Sequence, residues 1–159
     1  MTDQPFTHLD GAGHARMVDV TAKTPTVREA RASGRVTCGG PVVAALRSGG
    51  VPKGDVLAVA RIAGISAAKR TAELLPLAHV IGVHGVVVDL EVVDDGVEIT
   101  ATVRTADRTG VEMEALTAVS VAALAIVDMV KGLDKGVRIE HVQLEAKSGG
   151  RSGDWHRPS

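Results

Sequence analysis

The chain has 159 residues, a net charge of −1, 45% hydrophobic and 23% charged residues, and one cysteine. These values suit a single domain over residues 1–159, with a core that needs neither metal nor disulfide to fold. They exclude an internal disulfide and a cysteine-based zinc site, and they leave no broad basic footprint for nucleic acid.

Phe6 and Trp155, near the two termini, are the only aromatic residues, and tyrosine is absent. The core is therefore expected to consist of Val, Leu, Ile and Ala. The opening residues, MTDQPFTHLD, are polar and acidic, without an apolar signal region. The uncharged run 115–127 is shorter than the roughly 20 residues a membrane span needs. A soluble cytoplasmic protein with no membrane partner is expected.

In chain order, residues 16–22 (RMVDVTA) and 35–38 (RVTC) read as short strands. Residues 41–49 read as a short helix stopped by Gly49 and Gly50. Over 54–75, Val56, Val59, Ala60, Ala63 and Ala67 recur at helical spacing, with Asp55 at the start and Pro76 beyond the end. Residues 85–93 form the next strand. Residues 97–104 alternate, with Val97, Ile99, Ala101 and Val103 on one face and Glu98, Thr100, Thr102 and Arg104 on the other. Asp95-Gly96 between them predicts a tight primed hairpin, which needs positive φ. A helix covers 110–132 and a last strand 137–146. Residues 1–15 and 147–159 read as irregular, the tail as a mobile loop.

The order strand, helices, strand, strand, helix, strand predicts an α+β fold. It is the ferredoxin-like split βαβ arrangement, an antiparallel sheet with helices packed on one face. RNA-binding domains of this order stack bases on aromatics of the central strands. No strand here carries an aromatic, so that use is excluded.

The helix at 110–132 carries no charge between Glu114 and Asp128. A helix apolar on all sides cannot face water. The sheet covers one side, and a second copy of the chain is expected to cover the other through Ala118, Ala122 and Ala125. Glu114 and Asp128 lie about 21 Å apart along one helix at roughly 1.5 Å per residue. Two antiparallel copies would bring them together, which points to sites shared between subunits.

The charges at the helix ends also have purely structural readings. Thr109 to Glu112 matches a capping box, and Glu114 in the first turn suits the helix dipole. Lys131 lies in the last turn before Gly132. Asp128 opposes the dipole and needs a partner. Lys131, three residues on, stands on the same face and forms with it a candidate acid–base couple. Lys53 sits between glycines ahead of a helix N-terminus, a weak phosphate signal short of the full P-loop. His79 follows a proline-marked turn, and His84 reads as a surface histidine in a strand. The two have no third ligand at metal-binding spacing. Lys147 and Arg151 flank Gly149 and Gly150, which alone read as a solvated basic tail.

Taken together, THLDGAGHARMVDVTAK, TVREAR, KGDVLAVARIAGISAAKRT, TGVEMEALTAVSVAAL, DMVK and AKSGG span nearly the whole chain. These segments resemble the molybdenum cofactor biosynthesis protein C family, the cyclic pyranopterin monophosphate synthases. The resemblance implies a lyase that converts 3′,8-cyclised dihydro-GTP to cyclic pyranopterin monophosphate and expels pyrophosphate. It implies a ferredoxin-like homohexamer, a trimer of dimers, with active sites at subunit contacts. The sequence shows no metal site of its own and no resident cofactor is expected, while magnesium can accompany the triphosphate.

By the same resemblance, the catalytic aspartate falls on Asp128 and the essential lysines on Lys53 and Lys131. An active-site carboxylate falls on Glu112. Substrate contacts fall on Leu77, Ala78, His79, Met113 and Glu114, and phosphate-holding basic groups on Arg28 and Lys147. The chain departs from the family at one place. The family commonly has Leu-Cys-His-Pro where this chain has Leu77, Ala78, His79 and Val80, so a thiol there is not essential to an active enzyme. That departure motivates an alternative, a catalytically weak paralogue acting as a nucleotide-binding or partner-binding oligomer. A purely structural interaction domain would leave the helix-end charges without a role.

Overall fold

A computed structural model describes residues 8–158, so Phe6 and the remainder of 1–7 lie outside the described residues. The chain forms β1 (Thr26–Thr37), α1 (Gly40–Ser48), α2 (Val56–Ala68) and the single turn α3 (Thr71–Leu74). Then follow β2 (Gly85–Val93), β3 (Gly96–Asp107), α4 (Glu112–Val130), β4 (Arg138–Ser148) and β5 (Trp155–His156). The five strands make one sheet in the order β2-β3-β1-β4-β5, with all neighbours antiparallel. The helices pack against it, and the fold is the α+β, ferredoxin-like arrangement the element order predicts.

The sheet is two-faced because its strands alternate. Ala30, Ala32 and Val36 of β1 and Val97, Ile99, Ala101 and Val103 of β3 are buried beneath α4. Their neighbours Glu29, Arg35, Glu98 and Arg104 point the other way and pair across the strands. The core is aliphatic, as the absence of internal aromatics requires.

The first strand differs from its expectation. Residues 16–22 form no strand, and 35–38 is only the end of β1, which starts at Thr26. Ala30, Ala32, Ser33 and Gly34 have little intrinsic strand preference. They form a strand because β1 lies between β3 and β4 and hydrogen-bonds on both edges.

Three further expectations change. The β2–β3 hairpin has a two-residue loop, Asp94-Asp95, closed by Val93 opposite Gly96. Gly96 is not at positive φ; it is needed because a Cβ there would lie 1.9 Å from the Val36 carbonyl oxygen. The Thr109 capping box does not form. Val111 caps α4 without a side-chain bond, which leaves Glu112 as the first helical residue. The tail is not irregular throughout, because Trp155 and His156 pair back onto Lys147 and Ala146.

The long apolar helix is covered by its own chain. Ala118 and Ala122 are fully buried. They face α2, where a Cβ at Gly64 would come 2.9 Å from the Ala118 carbonyl and 3.3 Å from the Ala122 Cβ. Of the stripe assigned to a second copy, Ala118 and Ala122 are therefore a contact within the protomer, while Ala125 is only partly buried. By length and composition α4 could cross a membrane, but here it is the central core helix. Met113 and Leu124 of α4 and Val59 and Ile62 of α2 remain exposed.

Candidate functional site

The expected site residues gather at the two ends of α4. At its C-terminal end, Lys131 Nζ lies 2.6 Å from Asp128 Oδ1, the pairing their spacing on one helix allows. Lys53 reaches the same carboxylate from the turn before α2, with Nζ 3.1 Å from Asp128 Oδ2 and 2.9 Å from the Asp128 carbonyl. Asp55, not a ligand, occupies the α2 N-terminus by accepting from the Ala58 amide at 3.0 Å. The phosphate cradle expected around Lys53 is thus already capped, and Lys53 instead belongs to the α4 cluster.

The paired lysines, Lys131 foremost and then Lys53, hold the Asp128 carboxyl below the usual range. It stays ionised at neutral pH, with two ammonium groups gathered on one carboxylate. All three side chains are more than half exposed. The cluster is open to a ligand rather than sealed as a structural ion pair.

At the N-terminal end of α4 lies a cavity of about 610 Å³. Leu77, Ala78 and His79 form part of its wall, and Thr109, Gly110, Glu112, Met113 and Glu114 another part. His79 Nε2 is 2.6 Å from the Val18 carbonyl, which fixes the imidazole. Glu114 is 4% exposed. Burial pushes its carboxyl up to about 7, and Glu112 nearby adds to the rise. It therefore gains and loses a proton near neutrality, as an acid–base group must.

A smaller recess of about 230 Å³ adjoins it, sharing Thr109, Gly110, Glu112 and Lys23. Its wall carries Arg28 and Lys147. Arg28 is aimed by two main-chain carbonyls: Nε donates to Asp107 at 3.1 Å and Nη2 to Arg108 at 3.3 Å. Lys147 Nζ donates to the Ser152 hydroxyl in the turn after β4. Together they give a polar, basic recess next to a more apolar cavity, a division that suits a phosphorylated ring system.

His84 stays outside this arrangement. It precedes β2 rather than lying in a strand, but it is exposed, as a surface histidine is expected to be, and its Nδ1 accepts from the Ala106 amide at 3.2 Å. Sequence reasoning missed Lys23, Val18 and Asp107. Lys23 lines both cavities, but it stands just past residues 16–22, which read as a short strand. Among the described residues, no group of three or more His, Cys, Asp or Glu side chains is gathered around a metal position.

Within one protomer the two clusters stay apart. Lys53, Asp128 and Lys131 line neither cavity, and about 21 Å of helix separates Glu114 from Asp128.

Comparison with known proteins bears on this arrangement. A cyclic pyranopterin monophosphate synthase of Streptomyces coelicolor is 67% identical over 152 residues, covering 96% of this chain and 89% of the relative. The protein of that name from Streptomyces avermitilis is 65% identical over the same length and coverage. One from Nocardioides sp. is 60% identical over 163 residues, covering 99% of this chain and all of the relative. The model of the MoaC family matches residues 17–150, a span that contains every candidate site residue. The chain belongs to the MoaC family.

Proposed function

We infer that this chain is a cyclic pyranopterin monophosphate synthase, a lyase of molybdenum cofactor biosynthesis. Its substrate is 3′,8-cyclised dihydro-GTP, and its products are cyclic pyranopterin monophosphate and pyrophosphate. The observation that carries the reading is the convergence of Lys53 and Lys131 on Asp128. It occurs in a chain 67% identical to a relative of that name.

The chemistry follows from the groups. Closing a cyclic phosphate requires a substrate hydroxyl to lose its proton and attack phosphorus. Pyrophosphate then leaves with the bonding electrons. Lys53 and Lys131 supply proton transfer and positive charge at that centre, and Asp128 holds the two ammonium groups in register. Glu112 and Glu114 face the ring system, with Leu77, Ala78, His79 and Met113 shaping its cavity. Arg28 and Lys147 hold phosphates, whose charge calls for such donors. Magnesium enters as the counter-ion that travels with the triphosphate.

The two clusters lie too far apart for one protomer to use both on one nucleotide. In this reading antiparallel neighbours complete each other's sites, within a hexamer built as a trimer of dimers. Leu124 of α4 and Ile62 of α2 are exposed apolar residues available to such a contact. The enzyme is cytoplasmic in this account, its long apolar helix being consumed by the core.

The test is direct. The purified chain is incubated with the cyclised nucleotide, and pyrophosphate and the cyclic phosphate product are measured. Stoichiometric release of both is expected. Tight binding of the nucleotide without release would favour the weak paralogue.

A further inference from the structure

Between His79 and the start of β2 at Gly85 the chain has no regular structure, and Val80 is 90% exposed. Something must hold this segment if His79 is to keep its place on the cavity wall. Besides the contact of His79 itself with the Val18 carbonyl and the His84 amide bonded to the Arg104 carbonyl, two ties meet at Gly82, three residues from His79. The Gly82 amide donates to Asp107 Oδ2 at 3.0 Å, and its carbonyl accepts from the Thr105 hydroxyl.

Asp107 does more than hold Gly82. Its Oδ1 accepts from the Arg108 amide at 2.7 Å, and its main-chain carbonyl receives Arg28 Nε at 3.1 Å. One residue at the end of β3 thus connects the His79 loop to the anchor of Arg28. The Gly82 and Arg108 amides also keep its carboxyl below the usual range, so both oxygens remain acceptors at neutral pH.

We propose that Asp107 is a positioning residue for nucleotide binding, whose carboxylate sets the loop that places His79 on the cavity wall. The proposal rests on the reading of that cavity as the nucleotide site. Its carboxylate and carbonyl roles are separable. Asp107→Asn keeps one acceptor oxygen in place of two, and Asp107→Ala keeps none. Both leave the carbonyl that holds Arg28.

The experiment uses the full chain and two probes, GTP and the cyclised nucleotide. In Asp107→Ala, GTP binding weakens about tenfold, and KM for the cyclised nucleotide rises by a similar factor while kcat stays within about threefold. The Gly82 amide exchanges with solvent at least about tenfold faster, while α4 amides keep their protection. Asp107→Asn, the milder change, moves the same quantities in the same direction, and decides the matter if the alanine variant fails to fold. Thr105→Val, which cuts the other Gly82 tie, also weakens GTP.

Unchanged GTP affinity and KM with a deprotected Gly82 would overturn the proposal. A Gly82 amide that stays protected, or wild-type protein that binds no GTP, would do so too. If wild-type protein binds GTP but releases no pyrophosphate, the assigned reaction fails, and the binding and exchange measurements still decide the role of Asp107.

Discussion

Lys131 Nζ stands 2.6 Å from Asp128 Oδ1, one turn further along the same helix. A carboxylate at a helix C-terminus is unfavourable by itself, so this contact answers for its presence only in part. The second cation, Lys53, arrives from a turn 75 positions earlier in the chain. Two cations on one exposed carboxylate exceed what stability needs, because exposed pairs contribute little.

Asp128→Ala and Lys53→Ala are therefore expected to fold and assemble normally while losing about a thousandfold in kcat or more. Thermal unfolding and light scattering check the first part, and pyrophosphate release checks the second. A near-normal rate in either variant removes that residue from the reaction.

Arg28→Ala and Lys147→Ala are expected to act on binding. Each loses a charge-assisted contact to phosphate, raising KM about tenfold or more with a smaller change in kcat. Initial-rate kinetics over substrate concentration separate the two parameters. A change confined to kcat would place these residues at the reacting bonds instead.

The pairing of Asp128 with Lys131 is legible in the sequence because helix geometry alone sets it. The arrival of Lys53 is not, since it depends on where the sheet places α2 against α4. For the same reason the sequence assigns the cover of Ala118 and Ala122 to a second copy where the fold gives it to α2: an apolar stripe looks alike whether it meets another copy or a neighbouring helix of its own chain. The alternation of β3 declares it a strand, but the middle of β1, Ala30 to Gly34, is written in Ala, Arg, Ser and Gly and is a strand only by virtue of two partners. The ties of His79 to Val18 and of Gly82 to Asp107 leave no local signature at all. The resemblance placed Glu112 and Glu114 at a site. The burial that shifts the Glu114 proton is a property of the packed cavity.

Glu114 gives a pH prediction. Its folded carboxyl titrates near 7, above the ordinary value of 4.5. The folded state thus binds more protons than the unfolded state between those values. Stability contributed by the protonated group is present below about 4.5 and is lost as pH rises through about 7. The loss is on the order of 3 kcal/mol. Urea unfolding at pH 5 and pH 8 is expected to show this decline in the wild type and a smaller one in Glu114→Gln. Parallel pH profiles would contradict it.

Gly96→Ala tests the hairpin. The new Cβ meets the Val36 carbonyl, a backbone atom that cannot turn aside. A destabilisation of about 2 kcal/mol or more is expected. Urea unfolding with an unchanged slope measures it, and a loss of only a few tenths would show that the β1–β3 edge yields easily.

The central claim is that one nucleotide draws groups from opposite ends of α4 in two protomers. Complementation tests it most directly. Asp128→Ala protein is mixed with Arg28→Ala protein under conditions that exchange subunits, and pyrophosphate release at substrate well below the wild-type KM, where Arg28→Ala alone keeps about a tenth of the rate or less, is compared with that of each variant alone. The account predicts recovery toward about a quarter of wild-type activity, because random pairing across a two-fold contact restores that share of intact sites. Activity no greater than the average of the two separate variants, with exchange confirmed, would contradict it.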